Sequence, residues 1–577
     1  MTRPDDHRAR RIVTASVLVL AFTVIIARLF YLQVLHAAEL TIKADRQHEK
    51  TETVEGPRGT IYDRHGTVLA INMDVPSVFG MPSSIDNPAR TARGLAPILH
   101  MRAEDIERKL RQERSFVWIA RKLDPEQGHR LQSPPLEGIG VVLEGRRFYP
   151  KGTLLSHVLG FAGMDGQGLE GLEQRYDRYL RGEKHSIVLQ RDALGRTIFP
   201  KGIGERTPAP GHNLTLTIDE FVQYVTEKEL EDAVAATRAR AGMAIVMDPK
   251  TGEILAMATS PKFDPNAMHG MSPDRWRNRI VTDSYEPGST MKVFVAAAAL
   301  EERVMTPDTL VYGENGRMEI AHTVIHDHEK SGWMTFADVL QRSSNIGAAK
   351  IAMRLEADPL FRYVKGFGFG DKTGVDLPGE AAGLVKEPRD WGRRSLASMA
   401  IGQEIGVTPL QLVTAISAIA NGGWLMQPYL VAEVRTPEGL TLVQTGPQVR
   451  RRPISTHTAK TLTDVLEGVV TQGTGTRAAT PGYRVAGKTG TAQKIDPHTG
   501  AYSRSLLMGS FVGFVPADDP RLAIVIVIDE PKTEAWGGVV AAPVFRRIAE
   551  QALPYLGVAP QEPVKLTRTL ASLPGKG

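Results

Sequence analysis

Apolar residues run without a charge from Ile12 to Ala27 and resume from Leu29 to Leu35 after a single Arg28. A helix over residues 12–35 rises about 36 Å, enough to cross a hydrocarbon core of about 30 Å with some tilt. Arg28 falls near one end of that span, where its stem can snorkel to the headgroups, and Tyr31 is placed as an interfacial aromatic. No second apolar stretch of this length follows. Residues 36–56 are polar and helix-compatible, a stalk leaving the membrane, and PRGTIYDRHGTVLAIN at 57–72 reads as short strands cut by Gly59, Asp63 and Gly66. Over 88–133, Ile98, Met101, Ile106 and Leu110 recur at three- and four-residue spacing, which predicts helix. Residues 146–182 are glycine-rich, and GIGERTPAPGHN at 202–213 is a Pro/Gly break suited to a domain boundary.

Downstream the period changes. LTLTID at 214–219 alternates as a strand, 220–237 is an amphipathic helix, and AGMAIVMDPKTGEILAMATS at 241–260 is a hairpin turning at Asp248–Gly252. Several helices fill 285–420, and strands return at 483–494, 508–516 and 522–529. Strands, then helices, then strands predict an α+β domain, an antiparallel sheet flanked by helices. The expected organisation is a tail at 1–11, a transmembrane signal anchor at 12–35, an elongated pedestal at 36–210, a second domain at 211–558 and a flexible tail at 559–577.

Composition narrows the function. A chain of 577 residues is too long for one core, and 42% hydrophobic with 23% charged residues is ordinary for a globular protein. The net charge of +5 is small for this length, so no nucleic-acid partner is implied. The chain has no cysteine, which excludes disulfides, thiolate chemistry and cysteine zinc sites. Arg3, Arg8, Arg10 and Arg11 precede the apolar span, so the positive-inside rule keeps the N-terminus cytoplasmic and exports the rest. A cleaved signal peptide is the competing reading. The span exceeds a typical apolar signal core, and no small-x-small cleavage site follows it.

Candidate chemistry begins at YEPGSTMK, residues 285–292. Ser289 stands where an apolar helix starts, and Lys292 lies three residues on, on the same face. A serine hydroxyl becomes nucleophilic when a neighbouring base takes its proton, and a lysine whose pKa is lowered by burial can be that base. By themselves these residues fit a serine N-cap with an incidental lysine equally well. Ser343-Ser344-Asn345 supplies a hydroxyl that can relay a proton and an amide that can hold a substrate carbonyl. Lys488-Thr489-Gly490-Thr491 supplies a fixed charge for a carboxylate and a glycine that lets a peptide pair closely with a strand edge. The three in this order are the set of penicillin-binding proteins and β-lactamases.

Two other motifs compete. GYRVAGKT at 482–489 fits the phosphate-binding expression G-x-x-x-x-G-K-T, but no βαβ unit surrounds it. His322 with His326-Asp327-His328-Glu329 could ligate zinc; without a clear further ligand, a polar loop is the favoured reading.

RGTIYDRHGTVLA at 58–70, RRFYPKGTLLSHVLGFAG with GQGLEGLE, RLFYLQV at 28–34, GQEIGVTPLQL at 402–412, GKTGTAQK and SFVGFVP at 510–516 together resemble the division-specific, septal class B penicillin-binding proteins over nearly the whole chain. The resemblance implies a pedestal followed by a serine β-lactamase-like transpeptidase domain, of the monofunctional type found in Gram-negative bacteria. It implies that Ser289 attacks the penultimate D-Ala of a peptidoglycan stem peptide, with Lys292 as base and Ser343 as proton relay. Asn345 would hold the substrate amide, and Lys488, Thr489, Gly490 and Thr491 the terminal carboxylate or its β-lactam counterpart. The backbone N–H groups of Ser289 and Thr491 would form the oxyanion hole. No metal or other cofactor is implied. Implied partners are stem peptides, lipid-linked nascent glycan, β-lactams, a polytopic glycan polymerase and regulatory division proteins, at the septal inner membrane with the catalytic domain periplasmic. An elongation-specific relative, a β-lactam-binding sensor and a non-catalytic division scaffold are the alternative roles.

Overall fold

The computed structural model of the chain describes residues 5–40, 43, 49–114, 116–131, 136–191, 197–198, 208–268 and 270–561. Most of the expected tail at 559–577 and part of the Pro/Gly break at 202–213 lie outside the described residues. The chain forms two compact units. One comprises Met1–Pro57, Val75–Glu144 and Gly182–Pro210; the other comprises Arg58–Asp74, Gly145–Arg181 and Gly211–Gly577.

In the first unit, α1 (Asp5–Phe30) runs into a π-helical turn at Tyr31–Leu35. Arg8–Leu35 is the one helix among the described residues long and apolar enough to cross a membrane, and none of its apolar face is buried by protein. The Arg28 guanidinium lies 5.2 Å from the Tyr31 ring centre, a cation–π pair at the expected interfacial end. The stalk expected to be helical contains a strand instead: Glu49–Glu55 pairs antiparallel with Lys184–Arg191, from Glu49↔Gln190 to Glu55↔Lys184. Its partner is more than a hundred residues away, so no local period announces it. The helical expectation over 88–133 resolves into helices Pro88–Leu99, Ala103–Leu110 and Pro125–Leu131, interrupted by a strand at Val117–Ala120. Ala92, Leu95, Leu99, Ile106 and Leu110 form the buried face, packed with Val78, Val117 and Ile119.

The second unit is built on five antiparallel strands: β1 (Ala241–Met247), β2 (Ile254–Ser260), β3 (Ala486–Ile495), β4 (Tyr502–Val515) and β5 (Leu522–Asp529), in the order β2-β1-β5-β4-β3. Helix α2 (Glu220–Thr237) and the C-terminal α6 (Ala542–Tyr555) cover one face, where Val222, Leu230, Phe545 and Ile548 pack on Ile524, Ile526 and Ile528. The other face meets α5 (Pro409–Ala420) through Met243, Ile245, Val525 and Val527, and α3 (Lys292–Glu301) lies in the same buried core. Because both faces are covered, the inner strands β1 and β5 read as near-continuous apolar runs, and every residue of LAIVIVID in β5 is buried. Asp219 caps α2 by accepting from the backbone N–H groups of Phe221 and Val222. Gly252, at φ +85°, closes the β1–β2 turn by donating to the Asp248 carbonyl.

Two boundaries differ from the pattern. Strand β4 starts at Tyr502 rather than near 508, because YSRSLL extends the ladder with β3 beyond the core and so lacks buried residues. The region expected to be helical between 285 and 420 also holds a hairpin, Arg317–Ile320 with Thr323–His326.

Candidate active site

The nucleophile candidate is set by glycine geometry. Gly288 has φ +56°, and a Cβ there would meet the Thr491 carbonyl oxygen at 2.7 Å. Gly288–Met291 form a 3-10 turn that leads directly into α3, whose residues 292–300 are all buried. In a 3-10 turn, side chains three apart eclipse. Ser289, half-buried at the surface of the turn, therefore shares a side with Lys292, which is only 1% exposed.

Across from this turn, Thr335 and Asp338 form a capping box that starts helix Phe336–Gln341, and the chain then reverses through Arg342–Ser344 into α4 (Asn345–Leu355). Ser343 takes the left-handed conformation at φ +59°, a strained setting for a non-glycine residue. The Lys292 amine points into this reversal. It donates to the Ser343 carbonyl at 2.6 Å, to Asn345 Oδ1 at 2.7 Å and to Ser343 Oγ at 3.3 Å. A neutral amine can keep the two short bonds and leave its lone pair for another group. No hydrogen bond joins Lys292 to Ser289 Oγ among the contacts of the described residues.

The third wall is β3, the edge of the sheet. Lys488 is fully buried and donates to Ser343 Oγ at 2.9 Å and to the Thr489 carbonyl at 3.2 Å. Ser343 Oγ thus accepts from both lysines, which uses its two lone pairs and leaves its own proton free to donate. Gly490 brings the strand against the nucleophile turn: a Cβ there would meet Ser510 Oγ at 2.3 Å and Thr290 Cγ2 at 2.8 Å. Thr491 Oγ1 accepts from the Gly537 backbone N–H at 3.2 Å, and Thr489 Oγ1 lies 2.7 Å from Thr474 Oγ1. Lys488 and Thr489 thus sit inside a strand, not in a loop that opens a helix, which disposes of the phosphate-loop alternative.

Burial drives the electrostatics. Loss of solvation pushes the Lys292 amine down to about 7, opposed only by the charge of Asp327. Burial, then the nearby Lys292, holds Lys488 well below its ordinary range. An amine titrating near neutrality is half unprotonated at physiological pH and can act as a base.

The structure brings all the sequence candidates to one cleft: Ser289, Lys292, Ser343, Asn345, Lys488, Thr489, Gly490 and Thr491. It adds residues that the sequence did not single out. Thr474 meets Thr489, and Gly402 at φ +80° packs so tightly on the nucleophile turn that a Cβ would meet the Gly288 carbonyl oxygen at 2.1 Å. Glu286 accepts from Tyr502 Oη and from the Glu404 N–H, both at 2.9 Å, tying the β3–β4 hairpin to the same turn. Glu286, Gly402 and Glu404 had a signal, their place in motifs already read from the sequence; Thr474 had none. Among the described residues no three His, Asp or Glu side chains are grouped to hold a metal. The candidate zinc stretch is half hairpin and half connecting turn. Its His328 ring packs at a tilt against the Trp536 ring, 4.7 Å between centres.

Comparison with known sequences fits this geometry. Residues 242–550 match the family described as the penicillin-binding protein transpeptidase domain, and residues 53–216 match the penicillin-binding protein dimerisation domain. Stage V sporulation protein D of Bacillus subtilis is 39% identical over 552 residues, spanning 94% of this chain and 85% of that one. The chain belongs to the class B penicillin-binding proteins. The peptidoglycan D,D-transpeptidase FtsI of Escherichia coli is 33% identical to this penicillin-binding protein over 556 residues, spanning 94% and 91% of the two chains. Among solved structures, penicillin-binding protein 3 of Mycobacterium tuberculosis complexed with aztreonam superposes with a TM-score of 0.70 at 29% identity, covering 89% of this class B protein and 99% of that chain. The dimerisation match ends at residue 216, close to the Pro/Gly break expected to separate two domains. Arg58–Asp74 and Gly145–Arg181, however, belong to the sheet-bearing unit.

Proposed function

We propose that this chain is a membrane-anchored D,D-transpeptidase that cross-links stem peptides of septal peptidoglycan through an acyl-serine. The observation that carries the reading is the pair of buried lysines converging on one serine hydroxyl beside the Ser289 turn. Ser289 Oγ attacks the penultimate D-Ala carbonyl of a donor stem peptide while Lys292 takes its proton. The tetrahedral oxyanion is held by the backbone N–H groups of Ser289 and Thr491, an arrangement whose donors are each worth about 3–4 kcal/mol of barrier. The C–N bond breaks, and D-Ala leaves with a proton passed through Ser343. An amine of a neighbouring stem peptide then attacks the acyl carbonyl: the new amide C–N bond forms, the ester C–O bond to Ser289 breaks, and a proton from the amine returns to Ser289 Oγ by way of Lys292. Asn345 holds the donor amide; Lys488, Thr489 and Thr491 hold the terminal carboxylate, with Gly490 allowing close strand pairing. A β-lactam enters the same cleft as a covalent inhibitor. The mechanism calls for no metal or organic cofactor.

The charge asymmetry around α1 supports a cytoplasmic N-terminus and a periplasmic catalytic domain at the septal inner membrane. The residues before the sheet domain then act as a pedestal for a polytopic glycan polymerase and regulatory division proteins, and lipid-linked nascent glycan is the neighbouring substrate. The test is the mass of the Ser289 peptide after penicillin treatment of the full-length protein. A gain equal to the drug, lost in Ser289→Ala, is expected; labelling that persists in Ser289→Ala removes Ser289 as the nucleophile. Fluorescent-fusion imaging separates the septal role from an elongation role: a midcell band is expected, and dispersed wall patches would assign the chain to elongation.

A further inference from the structure

Asp327 lies between two histidines in a stretch with the composition of a metal site, yet its carboxylate is engaged otherwise. Its Oδ2 accepts from Ser344 Oγ at 2.6 Å, and its Oδ1 accepts from the backbone N–H groups of Asn345 at 2.5 Å and Ile346 at 3.0 Å. The preceding residue continues the contact, since the His326 carbonyl accepts from Asn345 Nδ2 at 2.9 Å. Three consecutive residues at the start of α4 therefore hang from one side chain that is distant in sequence and carried by the end of a hairpin strand.

We propose that Asp327 is a positioning residue for acyl transfer: it fixes the Ser343–Asn345 reversal so that the Ser343 hydroxyl and the Asn345 carboxamide stay aimed at Lys292 and the cleft. The proposal rests on the reading of Ser289 and Lys292 as nucleophile and base. Two features of the reversal require such a brace. Ser343 is left-handed at φ +59°, a conformation that persists only where its surroundings over-determine it. Asn345 is held at three points, its N–H on Asp327, its Nδ2 on the His326 carbonyl and its Oδ1 on the Lys292 amine, so its rotamer is fixed from outside its own helix. A carboxylate at the N-terminus of α4 also complements the helix dipole, but a simple cap needs one side-chain oxygen, and Ser344 already accepts from the Gly347 N–H at 2.8 Å. The additional bonds bear on where the motif points.

Asp327 has a second, electrostatic consequence. The charged groups that bear on the Lys292 amine are Lys488 on β3 and Asp327 on the hairpin, and the carboxylate works against burial by favouring the protonated amine. Removing that charge while keeping the shape should lower the Lys292 pKa further. The base is then available at lower pH.

The experiment follows acylation of the full-length protein by a fluorescent penicillin as a function of pH. Asp327→Ala deletes both acceptor oxygens and the three hydrogen bonds they accept, and a fall of about 100-fold in the acylation rate is expected, the size typical of a misplaced catalytic group. Asp327→Asn keeps an oxygen for the two N–H groups and can donate its amide to Ser344 Oγ. It is expected to stay within about tenfold of the parent and to move the acid limb of the profile to lower pH. An Asp327→Ala protein that acylates at the parent rate overturns the proposal, and so does an Asp327→Asn limb that does not move. Should Asp327→Ala fail to fold, the Asn variant decides alone. Ser289→Ala in parallel separates the two readings: persistent labelling there sinks the nucleophile assignment whatever the Asp327 variants do.

Discussion

Two clusters in the sheet-bearing unit bury cations almost completely, and they differ in one respect. In the first, Arg58 donates to Glu173 at 2.6 Å and to Asp177 at 2.6 Å, and Arg147 donates to the same Glu173 at 2.5 Å. Burial works against the charge of Arg58, but Glu173 and Asp177 outweigh it and hold its pKa above the ordinary value. In the second, Lys292 and Lys488 converge on a serine hydroxyl, with a carboxylate touching neither of them. There burial wins, and both amines lose their protons more readily than in water. A buried cation with counter-ions is a fastener; a buried amine without one is a base. The residue type adds to the difference, since a guanidinium keeps its proton in any protein setting whereas an ammonium is readily shifted.

The contrast predicts opposite responses to mutation. Lys292→Met should slow acylation by about 10³-fold, within the range for loss of a positioned base. Its stability should change by no more than about 1 kcal/mol, because relief from burying a charge offsets the hydrogen bonds lost. Glu173→Gln should do the reverse. It leaves two buried arginines short of a counter-charge and should cost about 3–5 kcal/mol of stability, read as a lower urea midpoint, while the folded fraction acylates normally. An acylation defect in folded Glu173→Gln, or collapse of Lys292→Met, would break the distinction. Gly490→Ala should lower acylation by about 100-fold, since a Cβ forces the edge strand away from Thr290 and Ser510. The smallest effect is expected at the His328–Trp536 ring contact. His328→Ala removes it and should change the acylation rate by less than about tenfold, the contact being worth about 1 kcal/mol.

Much of this is legible in the sequence alone. Helix 220–237 and the 241–260 hairpin are found where the amphipathic and strand patterns place them, and the three candidate motifs announce themselves by residue type and order. What stayed hidden has a common physical cause. The Glu49–Glu55 strand is defined by a partner near residue 187, the start of β4 by a polar ladder outside the core, and Asp327 by hydrogen bonds to a helix that begins 18 residues later. Each is a long-range relation that leaves no local period. Asp327 is visible as a residue type, but in a row with three histidines it reads as a polar loop or, less well, a zinc ligand, and neither reading gives it a positioning role. The Arg58–Glu173 pair likewise sits inside two of the motifs that carry the family resemblance, and only the fold shows that both are buried against each other.

Burial holds the Lys292 amine near neutrality, and the pH dependence of Ser289 acylation by penicillin tests this most directly. The rate is expected to climb with pH through a midpoint of about 7 and then level. A rate still climbing towards pH 10, as for an ordinary exposed lysine, would contradict it.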